Sequence, residues 1–367
     1  MSKKIRVGVL CGGKSAEHEV SLQSAKSIVE AIDRKTYDVV MIAVDKKGQW
    51  HLTDASKFLL NADNPKLIQL NKVSDNLAVA PGKMSEQLIS LTRHESTASV
   101  DVVFPVLHGP FGEDGTLQGL MKLTNLPFVG PGVLGSAVSM DKDVAKRLLR
   151  DAGLAIAKFL VFERSSLNKI DFNKIKDELG VPLFIKPANL GSSVGINKVN
   201  DKELFEAAVT EAFKYDNKIV IEEFIEGREI ECSVLGNDDP MASLPGEILP
   251  QDDFYSYRAK YIDEDGALLD IPAKLPENTV KEVQASAIEA FKVLCCEGMA
   301  RVDLFLKENG EIVINEINTL PGFTKISMYP KLWEASGISY PELIHRLIQL
   351  AIERFGREEA LETSVHV

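Results

Sequence analysis

The sequence has few of the features that mark secreted, membrane-spanning or nucleic-acid-binding proteins. It contains four cysteines in 367 residues, Cys11, Cys232, Cys295 and Cys296. Their spacing does not match that of metal ligands, and so few cysteines in a long chain indicate reduced thiols. No apolar run is long enough to span a bilayer, and acidic residues outnumber basic residues by 54 to 42. We therefore expect a cytoplasmic protein whose main partner is neither nucleic acid nor a membrane.

The hydrophobic pattern of the first third predicts an α/β fold. Strand patterns over Ile5–Leu10, Val39–Val44 and Val100–Leu107 alternate with helical periodicity over Ser21–Ile32. That alternation predicts a mostly parallel sheet covered by helices, and the chain length has room for two or three domains. The polar, weakly patterned stretch Thr53–Glu95 is interpreted as insertions.

A second unit begins near Ser139, where the helical pattern Val144–Ala152 starts the remainder of the chain. Helical periodicity returns at Tyr340–Phe355 with one apolar stripe. Between them the sequence predicts strands at Leu183–Lys186, Ile219–Phe224, Glu229–Leu235, Ala300–Leu306 and Glu311–Asn318.

The most informative pattern is a predicted hairpin that carries charged residues on one face. Two strand-like runs flank Asn309-Gly310, a dipeptide typical of two-residue hairpin turns. With that turn, Asp303 lies opposite Glu316 and Arg301 lies opposite Asn318. Because side chains alternate along a strand, all four share one face of the hairpin.

Opposed carboxylates on a hairpin repel each other unless a cation lies between them. Oxygen ligands from Asp303, Glu316 and Asn318 suit Mg²⁺, which commonly bridges to nucleotide phosphates. Arg301 beside such a metal could stabilise developing negative charge. The alternative is an exposed polar face on which Arg301 neutralises Asp303, and a three-residue turn would shift the register.

Phosphate-binding candidates occur before the hairpin. Lys186 ends a strand and precedes a Gly- and Ser-rich loop, residues 191–195, whose backbone N–H groups could turn toward an anion. Lys142 at a helix start is a second candidate. Glu222 and Glu229 could accept hydrogen bonds from adenosine. The alternatives are a flexible loop, a solvated lysine and a solvated acidic face.

The N-terminal segment formally matches the Walker A pattern, from Gly8 to Lys14 and Ser15. A true phosphate loop needs its first glycine after the strand, whereas Gly8 lies inside the apolar run. We interpret the match as chance. Glu17 lies just beyond these glycines and could bind an ammonium group, or it could complement the dipole of the following helix.

Several motifs in one order resemble the D-alanine–D-alanine ligase family over essentially the whole chain. They are the segments 12–21, 108–119, 139–142, 186–195 and 316–324. The resemblance implies a Rossmann-like N-terminal domain, residues 1–139, followed by two ATP-grasp lobes, residues 140–230 and 231–367. It also implies two D-alanine substrates, ATP, two Mg²⁺ or Mn²⁺ ions and a homodimer.

The same resemblance implies roles for individual residues. Asp303, Glu316 and Asn318 would hold the metals, Lys142 and Lys186 the phosphates, and Glu222 and Glu229 the adenosine. Glu17 would bind the ammonium group of the first D-alanine, Ser327 and Lys260 would bind the carboxylate of the second, and His108 would also bind substrate. Arg301 and the N–H of Gly322 would stabilise the oxyanion, and Ser192 and Tyr261 would close over the site with Glu17.

The implied reaction passes through an acyl phosphate that the second D-alanine attacks. Tyr261 favours an amide-forming enzyme over an ester-forming relative, whereas Arg258 and Lys325 depart from the family pattern. Two other hypotheses are a P-loop NTPase built on Lys14 and a non-catalytic two-lobed binding protein.

Overall fold

The computed structural model describes residues 3–362 except 63, 65–66, 72–74, 84–85, 94, 192–193, 251–266 and 325. Its α-helices are α1 His18–Ala31, α2 Thr116–Leu123, α3 Val133–Met140, α4 Lys142–Asp151, α5 Phe172–Leu179, α6 Lys202–Tyr215, α7 Glu277–Val293, α8 Met328–Ala335 and α9 Tyr340–Glu359.

The strands up to the middle of the chain are β1 Ile5–Gly12, β2 Tyr37–Val44, β3 Trp50–Thr53, β4 Leu59–Leu60, β5 Gln69–Leu70, β6 Asp75–Val79, β7 Leu88–Ser90, β8 Glu95–Ala98, β9 Val102–Pro105, β10 Phe159–Glu163 and β11 Leu183–Pro187. The later strands are β12 Asn197–Val199, β13 Lys218–Glu223, β14 Arg228–Gly236, β15 Met241–Ala242, β16 Gly246–Pro250, β17 Ala267–Asp270, β18 Gly298–Leu306 and β19 Ile312–Asn318.

The first sheet is parallel on one side and antiparallel on the other. Its order is β8-β7-β6-β3-β2-β1-β9, and β1 pairs in parallel with β2 and β9. The pairs β2–β3, β3–β6, β6–β7 and β7–β8 are antiparallel. The prediction of a mostly parallel sheet is therefore wrong, and the stretch interpreted as insertions extends the sheet. Its strands are short and follow one another without helical crossovers, so they pair antiparallel.

The predicted elements of the parallel part are confirmed. Ile5–Leu10 lies in β1, Val39–Val44 in β2, and the predicted Ser21–Ile32 helix begins earlier, at His18. Gly8 pairs with Val40 and Val103 inside the sheet, so its backbone cannot wrap a phosphate. The chance interpretation of the Walker A match is confirmed.

Two further sheets border one cleft. The four-stranded sheet has the order β10-β13-β11-β12, and the other has the order β17-β16-β14-β18-β19 with β15 beside β14. Phe184 and Glu222 on the four-stranded second sheet line the same pocket as Glu229 and Asp303 on the third sheet. All five strands predicted in this region are present.

The β18–β19 hairpin reaches its predicted register by a different route. Lys307 N–H donates to Glu311 O at 3.0 Å, so the loop has three residues and ends at Gly310 with φ +85°. That loop alone would shift the pairing by one residue. A bulge between Asp303 and Leu304 compensates, and Asp303 still pairs with Glu316. The bulge leaves Asn315 as the extra residue of β19.

The C-terminal helix α9 packs against the N-terminal sheet. Its predicted apolar stripe is buried in the core that contains Val7, Val9 and Phe104. Near its end, buried Arg354 donates to Gly130 O at 2.5 Å and to Phe128 O at 2.8 Å. In the part of the chain that the structure describes, no helix has the length and apolar character needed to cross a membrane.

We expect Arg354→Met to lower the free energy of unfolding by about 3 kcal/mol, because two buried carbonyls would lose their donors. Arg346→Met on the same helix removes only an exposed ion pair with Glu342 and should cost less than about 0.5 kcal/mol. Urea denaturation of both variants measures the difference. Equal stabilities of the two variants would contradict a role of Arg354 in holding α9 to the segment that contains Phe128 and Gly130.

Candidate active site

Three carboxylates form a row across neighbouring strands of the third sheet. Asp303 on β18 pairs with Glu231 on β14 and with Glu316 on β19. Arg301 lies two residues before Asp303 on β18 and pairs with Asn318 on β19, as predicted. Its guanidinium binds both oxygens of Asp303, at 2.7 and 2.6 Å, and lies 2.9 Å from Glu231. Arg301 thus offsets the repulsion of the two buried acids, whereas Glu316 lies at the open side of the row.

Three buried lysines surround a single buried glutamate beside this row. Lys186 Nζ lies 2.8 Å and Lys146 Nζ 3.3 Å from the two carboxylate oxygens of Glu222. Lys142 Nζ donates to Leu190 O at 2.7 Å and lies 3.9 Å from Glu316. The lysine cluster, Lys142, Lys146 and Lys186, therefore has more buried positive charge than Glu222 balances, which favours an anionic ligand.

The pKa values reflect this arrangement. Burial lowers the pKa of Lys142 and Lys146 below the usual lysine value. Burial acts in the same direction on Lys186, but the charges of Glu222 and Glu316 outweigh it and raise the pKa of Lys186. Burial also opposes ionisation of Glu222, and the two neighbouring ammonium groups overcome it and lower its pKa. An anion bound here would favour the charged form of all three lysines.

The larger of two adjoining pockets has a volume of about 230 Å³ and lies between the second and third sheets. Phe184 and Phe224 give it an apolar wall, with ring centroids 6.2 Å apart. Its polar lining comes from Lys186, Lys198, Glu222, Glu223, Glu229, Glu231, Asp303, Asn315 and Glu316. An aromatic wall with a charged end suits a flat ring joined to a polar tail.

The smaller pocket has a volume of about 60 Å³ and joins the larger one at Glu316. Glu17, Glu113 and Arg301 line it, so charges of both signs face a space the size of a small zwitterion. The remaining lining residues are Ser139, Met140, Lys142, Gly191, Ile317, Asn318 and Thr319. Glu17 is buried and precedes α1 as its N-cap residue, without a capping hydrogen bond from its side chain.

Glu113 is a buried acid of the small pocket with a strongly raised pKa. Burial, followed by the negative charge of Glu17, raises the pKa of Glu113 from 4.5 to about 8. Its two carboxylate oxygens accept from Gly109 N at 2.6 Å and from Leu320 N at 3.3 Å. At neutral pH the Glu113 side chain therefore carries a proton. In this uncharged form it does not repel the carboxylate of Glu17.

The residues predicted to bind metal fit a hard divalent cation in part. Asn318 Oδ1 is buried and has no hydrogen-bond partner among the described residues, and it lines the small pocket with Glu316. Both oxygens of Asp303 accept hydrogen bonds from Arg301, so this carboxylate would share its negative charge between the guanidinium and a metal ion. Among the described residues, no three His, Cys, Asp or Glu side chains converge on one point.

Three predicted residues lie beside the pockets rather than in their lining. His108 is buried, with Nδ1 3.0 Å from Leu320 O and Nε2 3.5 Å from Ser24 Oγ. Ser327 Oγ accepts from Thr324 N at 3.0 Å, and a Cβ added at Gly322 would lie 2.8 Å from it. The roles predicted for His108, Gly322 and Ser327 stay predictions.

Five residues singled out from the sequence lie outside the described residues: Ser192, Arg258, Lys260, Tyr261 and Lys325. Their predicted roles stay predictions. Of the remaining predicted residues, the small pocket collects Glu17, Lys142, Arg301, Glu316 and Asn318, and the larger pocket collects Lys186, Glu222, Glu229, Asp303 and Glu316.

The structure adds four residues that the sequence analysis did not select. Lys146 follows Lys142 by four residues on α4, a spacing that places both on one helix face. Glu231 follows Glu229 by two on β14, so the strand alternation could have identified it. Glu113 lies within a recognised motif without an assigned role. Asn315, 3.4 Å from Lys186 Nζ, depends on the bulge and had no sequence pattern.

Comparison with known proteins decides the family. The family described as D-ala D-ala ligase N-terminus matches residues 6–131, and D-ala D-ala ligase C-terminus matches residues 148–349. A D-alanine–D-alanine ligase from Shouchella clausii is 64% identical over 365 residues, covering 100% of this chain and 99% of the relative. The chain belongs to the D-alanine–D-alanine ligase family.

Other similar proteins support the same family assignment. D-alanine–D-alanine ligase A of Escherichia coli K12 is 56% identical over 363 residues, covering 99% of this chain and all of the relative. The solved D-alanine–D-alanine ligase from Coxiella burnetii has a TM-score of 0.84 at 40% identity, covering 98% of this chain and 97% of its own. The VanG D-Ala:D-Ser ligase from Enterococcus faecalis has a TM-score of 0.83 at 36% identity, with 95% and 100% covered. The recognised family and the predicted ATP-grasp fold class are confirmed.

The raised pKa of Glu113 predicts a pH-dependent stability of the ligase. Between pH 4.5 and about 8 the folded protein holds a proton that the unfolded chain has released, so this residue's contribution falls as pH rises. Glu113→Gln cannot titrate, and its stability relative to the wild type should increase from pH 5 to pH 8. Urea denaturation in EDTA at several pH values measures this trend. A difference that is constant with pH would contradict the raised pKa.

Proposed function

We propose that this enzyme joins two D-alanines to D-alanyl-D-alanine with cleavage of ATP to ADP and phosphate, for cell-wall precursor synthesis. The observation that carries the proposal is the pair of adjoining pockets that share Glu316. One is shaped for a nucleotide and the other for a small zwitterion. Full-length relatives named D-alanine–D-alanine ligase, at 56–64% identity, support the same activity.

ATP is the substrate that the larger pocket suits. The aromatic wall formed by Phe184 and Phe224 would receive the adenine, and the lysine cluster would receive the phosphates. Glu229 would accept hydrogen bonds from adenosine. The family resemblance implies a contact of Glu222 with adenosine as well, and its ion pairs with Lys146 and Lys186 support a further role in holding those lysines in place.

Asp303, Glu316 and Asn318 would hold two Mg²⁺ or Mn²⁺ ions, and the unsatisfied Oδ1 of Asn318 supports that assignment. Bound there, the metal would neutralise the ATP phosphates and favour transfer of the terminal phosphoryl group. Arg301 lies on the same face and would stabilise negative charge that develops on the substrate carbonyl oxygen.

In the small pocket, Glu17 would bind the ammonium group of the first D-alanine, whose carboxylate receives the γ-phosphoryl group. The amine of the second D-alanine then attacks the acyl phosphate carbonyl, and phosphate leaves. The N–H of Gly322 would support Arg301 at the oxyanion, and Ser327 with Lys260 would bind the second carboxylate. Closure by Ser192 and Tyr261, with His108 near the first substrate, would exclude water from the acyl phosphate.

The finer organisation of the ligase is part of the same proposal. We place domain boundaries after residues 139 and 230. We also propose a cytoplasmic homodimer that has neither nucleic acid nor a membrane as its partner. The family resemblance supports the dimer, and the acidic composition supports the choice of partners.

Phosphate release with single amino acids, followed by mass analysis of the products, tests the function. We expect release only with D-alanine and Mg²⁺, and a D,D-dipeptide product. In a second assay D-alanine is paired with D-serine or D-lactate. A mixed product with D-serine would favour the activity named for the Enterococcus relative, and an ester with D-lactate would favour a depsipeptide ligase. Absence of turnover with every amino acid would favour a binding protein.

Lys186→Met should weaken ATP binding by about 10- to 100-fold, because a charge-assisted contact to phosphate is worth about 1.5–3 kcal/mol. Lys14→Met is the matched control, since Lys14 is exposed and its Nζ lies 5.4 Å from the Phe111 ring centroid. Titration calorimetry with ATP and Mg²⁺ measures both affinities. Loss of binding in Lys14→Met alone would instead support the P-loop hypothesis.

A further inference from the structure

The segment that follows β19 carries two predicted substrate contacts and is held by side chains of the N-terminal part. It runs from Leu320 to Ser327 and includes Gly322, the predicted oxyanion donor. Leu320 and Phe323 are each only 1% exposed. Their backbone groups contact Ser24 on α1 and His108 after β9, more than 200 residues away in the chain. We call this pair of side chains the Ser24–His108 relay.

The hydrogen-bond directions of the relay follow from its two ends. Leu320 O can only accept, so His108 Nδ1 donates to it at 3.0 Å. Burial lowers the pKa of His108 to about 4, so Nε2 carries no proton at neutral pH. Ser24 Oγ lies 3.5 Å from Nε2 and accepts from Phe323 N–H at 3.1 Å, so its own proton points to the imidazole. The relay thereby connects Leu320 O and Phe323 N–H, which lie on either side of Gly322 in the chain.

Glu113 holds the same segment from a second direction. One of its oxygens accepts from Leu320 N at 3.3 Å, so both polar backbone groups of Leu320 bind N-terminal side chains. The other oxygen accepts from Gly109 N at 2.6 Å, which ties Glu113 to the loop that carries His108. Two residues of one loop therefore hold one residue of the segment.

Packing and a further hydrogen bond hold Phe323 in place. The Phe323 ring lies edge-on to Phe104, with centroids 5.6 Å apart, and Tyr340 Oη donates to Phe323 O at 2.5 Å. A Cβ added at Gly322 would meet Ser327 Oγ at 2.8 Å. Ser327 Oγ therefore lies close to the Gly322 backbone.

We propose that Ser24 and His108, together with Glu113, are positioning residues. They hold the Gly322 N–H and Ser327 in place for the second half of the reaction, the attack on the acyl phosphate. The inference rests on the proposed function and changes the role of His108. Its Nδ1 acts through Leu320 O, and neither ring nitrogen is directed at the first D-alanine. Loss of the relay should therefore impair attack on the acyl phosphate more than its formation.

Two isosteric variants of His108 separate these roles. Asparagine places an amide N–H near the position of Nδ1, whereas glutamine places one near Nε2. His108→Gln should lower the kcat for dipeptide formation by about 100-fold, the size expected for a small displacement of a catalytic group. His108→Asn should recover most of that loss.

The two half-reactions are measured separately in the full-length enzyme. Positional isotope exchange in ATP reports acyl phosphate formation, and dipeptide synthesis reports the complete reaction. We expect isotope exchange and the KM for the first D-alanine to stay within about threefold of wild type in both variants. A raised KM for the first D-alanine that asparagine does not rescue would overturn the inference, because it indicates direct substrate contact.

Ser24→Ala tests the relay without changing the imidazole. It should lower dipeptide synthesis and spare isotope exchange. Ser27→Ala on the same helix should change neither, since Ser27 Oγ donates to Gln23 O within α1 and has no other side-chain hydrogen bond among the described residues. Thermal denaturation shows whether each variant is folded. Unchanged dipeptide synthesis in folded Ser24→Ala would overturn the inference. A wild-type enzyme that makes no dipeptide would instead refute the proposed function.

Discussion

The pairing of β18 with β14 and β19 is the constraint on which the site depends. It aligns Glu231, Asp303 and Glu316 in one row, where like charges on adjacent strands repel. Arg301 offsets two of them from within the same sheet. Glu316 lies beside Lys142 from the neighbouring part of the chain. Cations that approach from outside the sheet, such as Lys142, would therefore offset the remaining charge of Glu316.

The lysine cluster presents the opposite imbalance. Three ammonium groups are buried around Glu222, and in a low-dielectric environment neither imbalance is well screened by water. A nucleotide tail with divalent metal would satisfy both sets of groups at once. We infer that this complementary desolvated charge would favour the phosphates and metal of the proposed nucleotide, and that the aromatic wall would orient its ring.

Part of the site could be predicted from the sequence because strand alternation is local. That argument placed Arg301 and Asp303 on one face correctly. The register was correct although the predicted turn was wrong, since a three-residue loop and a bulge offset each other. Bulges depend on packing against other strands, so a local pattern could not reveal Asn315. The antiparallel extension of the first sheet was missed because its strands are short and polar.

Local periodicity and motif order are sufficient to predict the strands around the cleft, the buried stripe of α9 and the family. Which charged side chains meet depends on the packing of segments that are distant in the chain. Lys146 on α4 and Lys186 on β11 both form ion pairs with Glu222 on β13. His108 contacts Leu320, which lies more than 200 residues further along the chain. Burial then sets the protonation of Glu113 and His108, because desolvation depends on the packed environment and is absent from the chain order.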